Sequence, residues 1–129
     1  VRPALARGEV VLSDRYADSS TVYQGMVRGV GVELAENLNR IATEGLRPDL
    51  TLVLDLDHES GVSRARSRNA AGDGSESRLD DEPGEFHRRV REGFLRLAES
   101  DPERVRVVSA EGPPDEVFER IAGALPEAL

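Results

Sequence analysis

The chain has 129 residues, with 17 basic side chains of the lysine and arginine type against 25 acids, a net charge of -8. That length points to one domain, and the acidic balance argues against nonspecific nucleic-acid binding. There is no cysteine, which excludes disulfides and thiolate metal sites and fits a reducing compartment such as the cytoplasm; no apolar run approaches the ~18 residues of a membrane span.

All 17 of those basic residues are arginine. Nucleotide composition bias explains this more simply than function does. It still excludes one device, because a P-loop needs a lysine on the β- and γ-phosphates, and no G-x-x-x-x-G-K-S/T occurs anywhere.

Residues 9–13, from Glu9-Val10-Val11-Leu12, read as a short buried strand running into Asp14-Arg15. An acid and an arginine at the carboxyl end of a strand suit a phosphate-plus-metal corner. Open α/β sheets bind ligands there, arginine forks onto phosphate oxygens, and a carboxylate faces a hydrated cation. A helix over 19–28 follows, broken at Gly29-Val30-Gly31. A second helix covers about 32–43, with Leu34, Ala35, Leu38, Ile41 and Ala42 on one face. Gly45 reads as its C-terminal cap.

Leu50 to Leu56 is nearly continuous in apolar residues, the pattern of a strand buried on both faces. Asp57 is placed to cap a helix over about 59–68. Residues 69–82 form a Gly/Ser- and acid-rich stretch with turn character. A helix over about 84–100 carries Phe86, Val90, Phe94 and Leu97 at helical spacing, and Asp101-Pro102 ends it. Val105 to Val108 reads as a third strand. Pro113-Pro114 opens a last helix, with Val117, Ile121 and Leu125 on its core face. Strands alternating with helices imply an α/β layer fold with right-handed crossovers.

The segment Leu12 to Gln24, in which Asp14-Arg15-Tyr16 precedes Ser19 and Tyr23-Gln24, resembles the signature of bacterial thymidylate kinases. The likeness continues through Tyr23-Gln24-Gly25 with Arg28-Gly29, Leu46 to Thr51, and Leu54-Asp55-Leu56-Asp57. It runs from about residue 9 to the end.

The resemblance implies a P-loop kinase-like three-layer fold on a parallel sheet of order 2-3-1-4-5. This chain would hold strands 3, 4 and 5 of it, with the central strand 1 missing. The 129 residues would form one partial nucleoside monophosphate kinase domain with a lid over about 59–83. A sheet with that slot leaves unpaired edges, so a partner or a longer chain would supply the strand.

The implied reaction is transfer of the ATP γ-phosphoryl to deoxythymidine monophosphate (dTMP), with Mg2+, giving the diphosphate. The implied catalytic residues are Asp14, Arg15, Arg66 and Arg78. Arg15 would clamp the acceptor phosphate, and Ser19, Ser20, Tyr23 and Gln24 would line the nucleoside pocket, with the tyrosine beside the deoxyribose. Arg64, Arg66 and Arg78 would face ATP from the lid. The metal candidates are Asp14, through water, and Asp55, outside the ion's inner coordination sphere.

Ser77 and Asp80 depart from the family's Asp-Arg-aliphatic-Glu pattern around Arg78, and the insert before them is long. Arg64, Arg66 and Arg68 alternate along a helix, so they fan out rather than converge. The family dimerises, and the 32–43 helix is one candidate contact, although a core role explains its apolar face equally well. Without a P-loop the chain alone is expected not to transfer phosphoryl groups. The alternative is a non-catalytic, truncated or degenerate kinase domain that binds a partner or a nucleotide.

Overall fold

The computed structural model describes residues 1–57, 61 and 84–126. In chain order these form α1 (Arg2–Leu5), α2 (Ala17–Ser20), a π-helical segment (Thr21–Val27), α3 (Val32–Ala42), β1 (Thr51–Asp55), α4 (Gly84–Ser100), β2 (Val105–Ser109) and α5 (Pro114–Ala124). The expected helix over 59–68 and the acid-rich stretch over 69–82 lie outside the described residues, save Gly61, whose N–H donates to the Asp57 carbonyl at 2.9 Å.

β1 and β2 pair in parallel, from Thr51 opposite Val105 to Asp55 opposite Ser109. A parallel pair needs a crossover, and α4 ends just before β2 to provide the last leg of it. Val105 joins Val90, Leu97 and Ala98 of α4 and Val22 of the π-helical segment in one buried cluster. Val108 is also buried. Residues three apart on a strand point to opposite faces, so β2 is covered on both sides, by α4 and by α5.

Residues 9–13 do not form the expected strand. Val10 is exposed, and Leu12 is 93% exposed. A strand exists only by pairing its backbone with a neighbour, and among the described residues the sole sheet is β1 with β2. The same lack of neighbours corrects the reading of residues 50–56. Leu54 is exposed rather than buried on a second face. The parallel α/β character holds, on two described strands instead of three.

The helix expected over 19–28 starts earlier, at Ala17, and widens into π geometry at Thr21. Arg28 N–H reaches back five residues to the Tyr23 carbonyl at 3.0 Å. Two glycines let this segment be approached closely. A Cβ on Gly25 would stand 3.1 Å from Ala35 Cβ and 3.2 Å from Val32 Cα, and one on Gly93 would stand 2.7 Å from Val22 Cγ1. The segment is thus wedged between α3 and α4. Arg89 of α4 closes its end by donating to the Val27 carbonyl at 2.8 Å.

The apolar face of α3 divides. Ala35 is buried at the Gly25 contact, while Leu34, Leu38 and Ile41 are exposed, Ile41 at 68%. Only one narrow strip of the helix faces its described neighbours. Gly45, at φ 76°, caps α3 as expected, donating to the Arg40 carbonyl at 2.9 Å. Arg2 covers two further carbonyls there, Thr43 at 2.8 Å and Glu44 at 3.0 Å. α5 keeps Val117 and Ile121 half-buried, but Leu125 lies past its end and is exposed.

Candidate active site

Asp14 and Arg15 sit on the exposed stretch before α2. Arg15 has φ 67°, a left-handed conformation that costs a non-glycine residue about 1–2 kcal/mol. Ser13 Oγ donates to the Arg15 carbonyl at 2.9 Å and braces the turn. Strain of this kind persists where surrounding structure over-determines it, and it gathers at ligand sites. The turn carries the Arg15 guanidinium to 5.2 Å from the centre of the Tyr23 ring, within cation–π range.

Tyr23 continues this arrangement inward. Its ring lies 6.1 Å from Phe86 and, edge-on, 6.2 Å from Phe94, both on α4. Arg28 lies 5.7 Å from the Phe86 ring centre, and His87 meets the same ring edge-on at 5.7 Å. A wall of half-buried rings is therefore flanked by two guanidiniums. Of the other expected pocket residues, Ser20 and Gln24 are exposed and Ser19 is half-buried, its N–H donating to the Tyr16 carbonyl at 3.0 Å. The structure brings Arg15 and Tyr23 together. Arg64, Arg66 and Arg78 lie outside the described residues.

The corner is not at the carboxyl end of a strand, as the sequence suggested. Thr51 Oγ1, on the first residue of β1, donates to Asp18 Oδ2 at 2.7 Å. α2 thus begins beside the amino end of the sheet. From there the π-helical segment runs along α4 toward Arg89 and Phe86.

Asp55 does stand at a strand's carboxyl end, but both its oxygens are occupied. Arg91 Nε donates to Oδ1 at 2.6 Å and Nη2 to Oδ2 at 2.8 Å. These bonds hold the Asp55 carboxyl below the usual carboxylate range, against the opposing pull of burial and of Asp57. Arg91 competes with any cation for these two oxygens. Asp14 is exposed and fits contact through a hydration shell, the way magnesium held by nucleotide phosphates usually meets protein. Among the described residues no three His, Asp or Glu side chains group as a metal site. No described helix is long and apolar enough to cross a membrane.

One partly buried polar network has no counterpart in the sequence reading. Arg104 Nη1 and Nη2 fork onto Asp18 at 2.7 and 3.1 Å, Nη1 also reaches Thr51 Oγ1 at 3.0 Å, and Nε donates to Asp101 at 2.8 Å. Arg47 adds a second contact to Asp101 at 3.1 Å. The bond from Arg104 holds the Asp101 carboxyl below its usual value against the opposing pull of desolvation, with the charges of Arg104 and Arg47 assisting. Asp18 lies inside the signature segment, but its partner is 86 positions away, and no local spacing signals such a pair.

The thymidylate kinase family model matches residues 1–121. The chain is similar to the thymidylate kinase of Nitratidesulfovibrio vulgaris, 52% identical over all of this chain and 61% of that protein. The thymidylate kinase of Oleidesulfovibrio alaskensis is 50% identical over all of this chain and 62% of its own length. That of Syntrophotalea carbinolica is 48% identical over 94% of this chain and 56% of its own. The chain thus spans roughly three fifths of the curated relatives it matches.

Proposed function

The chain belongs to the thymidylate kinase family, and from that membership we propose that the whole protein transfers the γ-phosphoryl group of ATP to dTMP, with these residues forming the acceptor side of the site. The observation that carries the reading is the Arg15–Tyr23 unit, a strained turn that sets a guanidinium 5.2 Å from the ring of the neighbouring helix. A phosphate and a sugar belong to one nucleotide, so their binding groups must lie within one nucleotide's length of each other.

In the reaction, a phosphate oxygen of dTMP bonds to the γ-phosphorus and the bond from that phosphorus to the β-bridging oxygen breaks, releasing ADP. Little covalent work falls to the protein, and positioning with charge neutralisation dominates. Arg15 clamps the acceptor phosphate bidentately. Tyr23 lies beside the deoxyribose, and Ser19, Ser20 and Gln24 approach the base. Arg64, Arg66 and Arg78 neutralise charge from the ATP side. Asp14 would face the hydration shell of magnesium carried with ATP, which would supply further charge neutralisation. The reading includes a homodimer, supported by the exposed stripe of Leu34, Leu38 and Ile41 on α3.

The test is dTDP formation from ATP and dTMP by the full-length protein carrying this sequence. Arg15→Ala should remove most of the turnover, since one electrostatic donor is worth about 10²–10³ in rate, and should leave the circular dichroism spectrum unchanged. Wild-type turnover in that variant refutes the clamp.

A further inference from the structure

Arg104 lies on the turn between α4 and β2, and it is not among the residues expected to touch a nucleotide. Its side chain is nevertheless only 11% exposed, and that of its partner Asp18 only 17%. Burying two charges is costly unless geometry and hydrogen bonding are complete. Here both conditions hold. The guanidinium forks onto both Asp18 oxygens, and Thr51 Oγ1 accepts from Arg104 while donating to Asp18.

The arginine is itself pinned by backbone. Thr51 N–H donates to the Arg104 carbonyl at 2.8 Å, and the Arg104 and Val105 N–H groups both reach the Asp101 carbonyl, at 3.2 and 2.8 Å. Arg104 is therefore a fixed point of the sheet. Asp18 is the second residue of α2, one turn before Tyr23, with Ser19 and Ser20 directly after it. Asn39 of α3 secures the same turn, donating to the Ala17 carbonyl at 2.9 Å and to Thr21 Oγ1 at 3.0 Å.

We propose that Arg104 is a positioning residue for the acceptor nucleotide: by clamping Asp18 it fixes the start of the helix that presents Ser19, Ser20, Tyr23 and Gln24. This rests on the acceptor-site reading above. A planar fork is required, because lysine keeps the charge but cannot hold both carboxylate oxygens and Thr51 together.

The experiment is calorimetric titration of the full-length protein carrying this sequence with dTMP, for wild type, Arg104→Lys, Asp18→Asn and Val108→Ala, with thermal unfolding of each. Val108 is buried outside the cluster around Val22, so Val108→Ala is the control for lost stability away from the acceptor helix. Both network variants should bind dTMP at least tenfold more weakly, while Val108→Ala, at a similar loss of Tm, should bind as wild type does. Amide exchange should quicken over residues 19–27 in the network variants and stay slow over 90–98.

Unchanged affinity in the network variants overturns the proposal, as does an equal loss in Val108→Ala. If both network variants fail to fold, the network is a folding element and the proposal is again overturned. A full-length wild-type protein that does not bind dTMP overturns the acceptor-site reading itself, and the fault then shows in the wild type rather than in the variants.

Discussion

Gly93 is where α4 and the π-helical segment come closest, and replacing it with alanine reverses the usual effect of that substitution. In a helix interior, Gly→Ala gains about 1 kcal/mol of helix propensity. At position 93 the new methyl would lie 2.7 Å from Val22 Cγ1 and 3.4 Å from Met26 Sδ. Carbon atoms settle at about 3.5–4.0 Å, so the overlap is close to 1 Å. Val22 is fully buried and cannot swing away. Overpacking of this kind costs about 1–3 kcal/mol. The net expectation is a loss of about 0–2 kcal/mol, the difference between those two magnitudes, so the usual gain is at least cancelled. Gly123 is the control, since it also lies in a helix but a Cβ there would meet nothing within 4 Å. Gly123→Ala should stabilise by about 0.5–1 kcal/mol. Urea unfolding followed by circular dichroism, with both variants measured beside wild type, reads the two signs. A Gly93→Ala chain as stabilised as Gly123→Ala would refute the close crossing.

Acid should destabilise the chain through Asp55 and Asp101. Both carboxyls are held below their usual value, Asp55 by Arg91 and Asp101 by Arg104. A depressed folded-state pKa contributes stability above the unfolded value that is lost as pH falls toward the folded one. Urea midpoints should therefore hold from pH 7 to 5 and fall below about pH 4, where free aspartate titrates; Asp55→Asn should shallow that fall, and an unchanged acid limb would count against the Asp55–Arg91 pair. Replacing Leu38 and Ile41 of α3 together by asparagine should shift the full-length protein from dimer to monomer in sedimentation, with its circular dichroism unchanged. A variant that stays dimeric removes α3 from the proposed dimer contact.

The sequence made local features readable and left long-range ones out of reach. The 84–100 helix, the 105–108 strand and the Gly45 cap each rest on periodicity or a single turn residue, and each was foreseeable. Residues 9–13 have a strand's composition but no strand beside them among the described residues, and composition cannot say whether a neighbour exists. The α3 periodicity is genuine, yet it reports that a face is apolar and not what covers it. At the candidate site, the Asp14 to Gln24 signature is legible because its members are close in sequence. The 67° φ of Arg15, the bidentate Arg91–Asp55 pair and the Arg104 fork depend on backbone detail or on residues 36 and 86 positions apart. No local pattern encodes these.

Titration of the full-length protein carrying this sequence with dTMP and, separately, with thymidine tests the acceptor site most directly, since neither ligand needs ATP to bind. The account predicts that dTMP binds, that thymidine binds at least tenfold more weakly for want of its phosphate, and that Arg15→Ala abolishes the difference between the two ligands. Equal binding of dTMP and thymidine by the wild-type chain, or a phosphate preference that survives in Arg15→Ala, would contradict it.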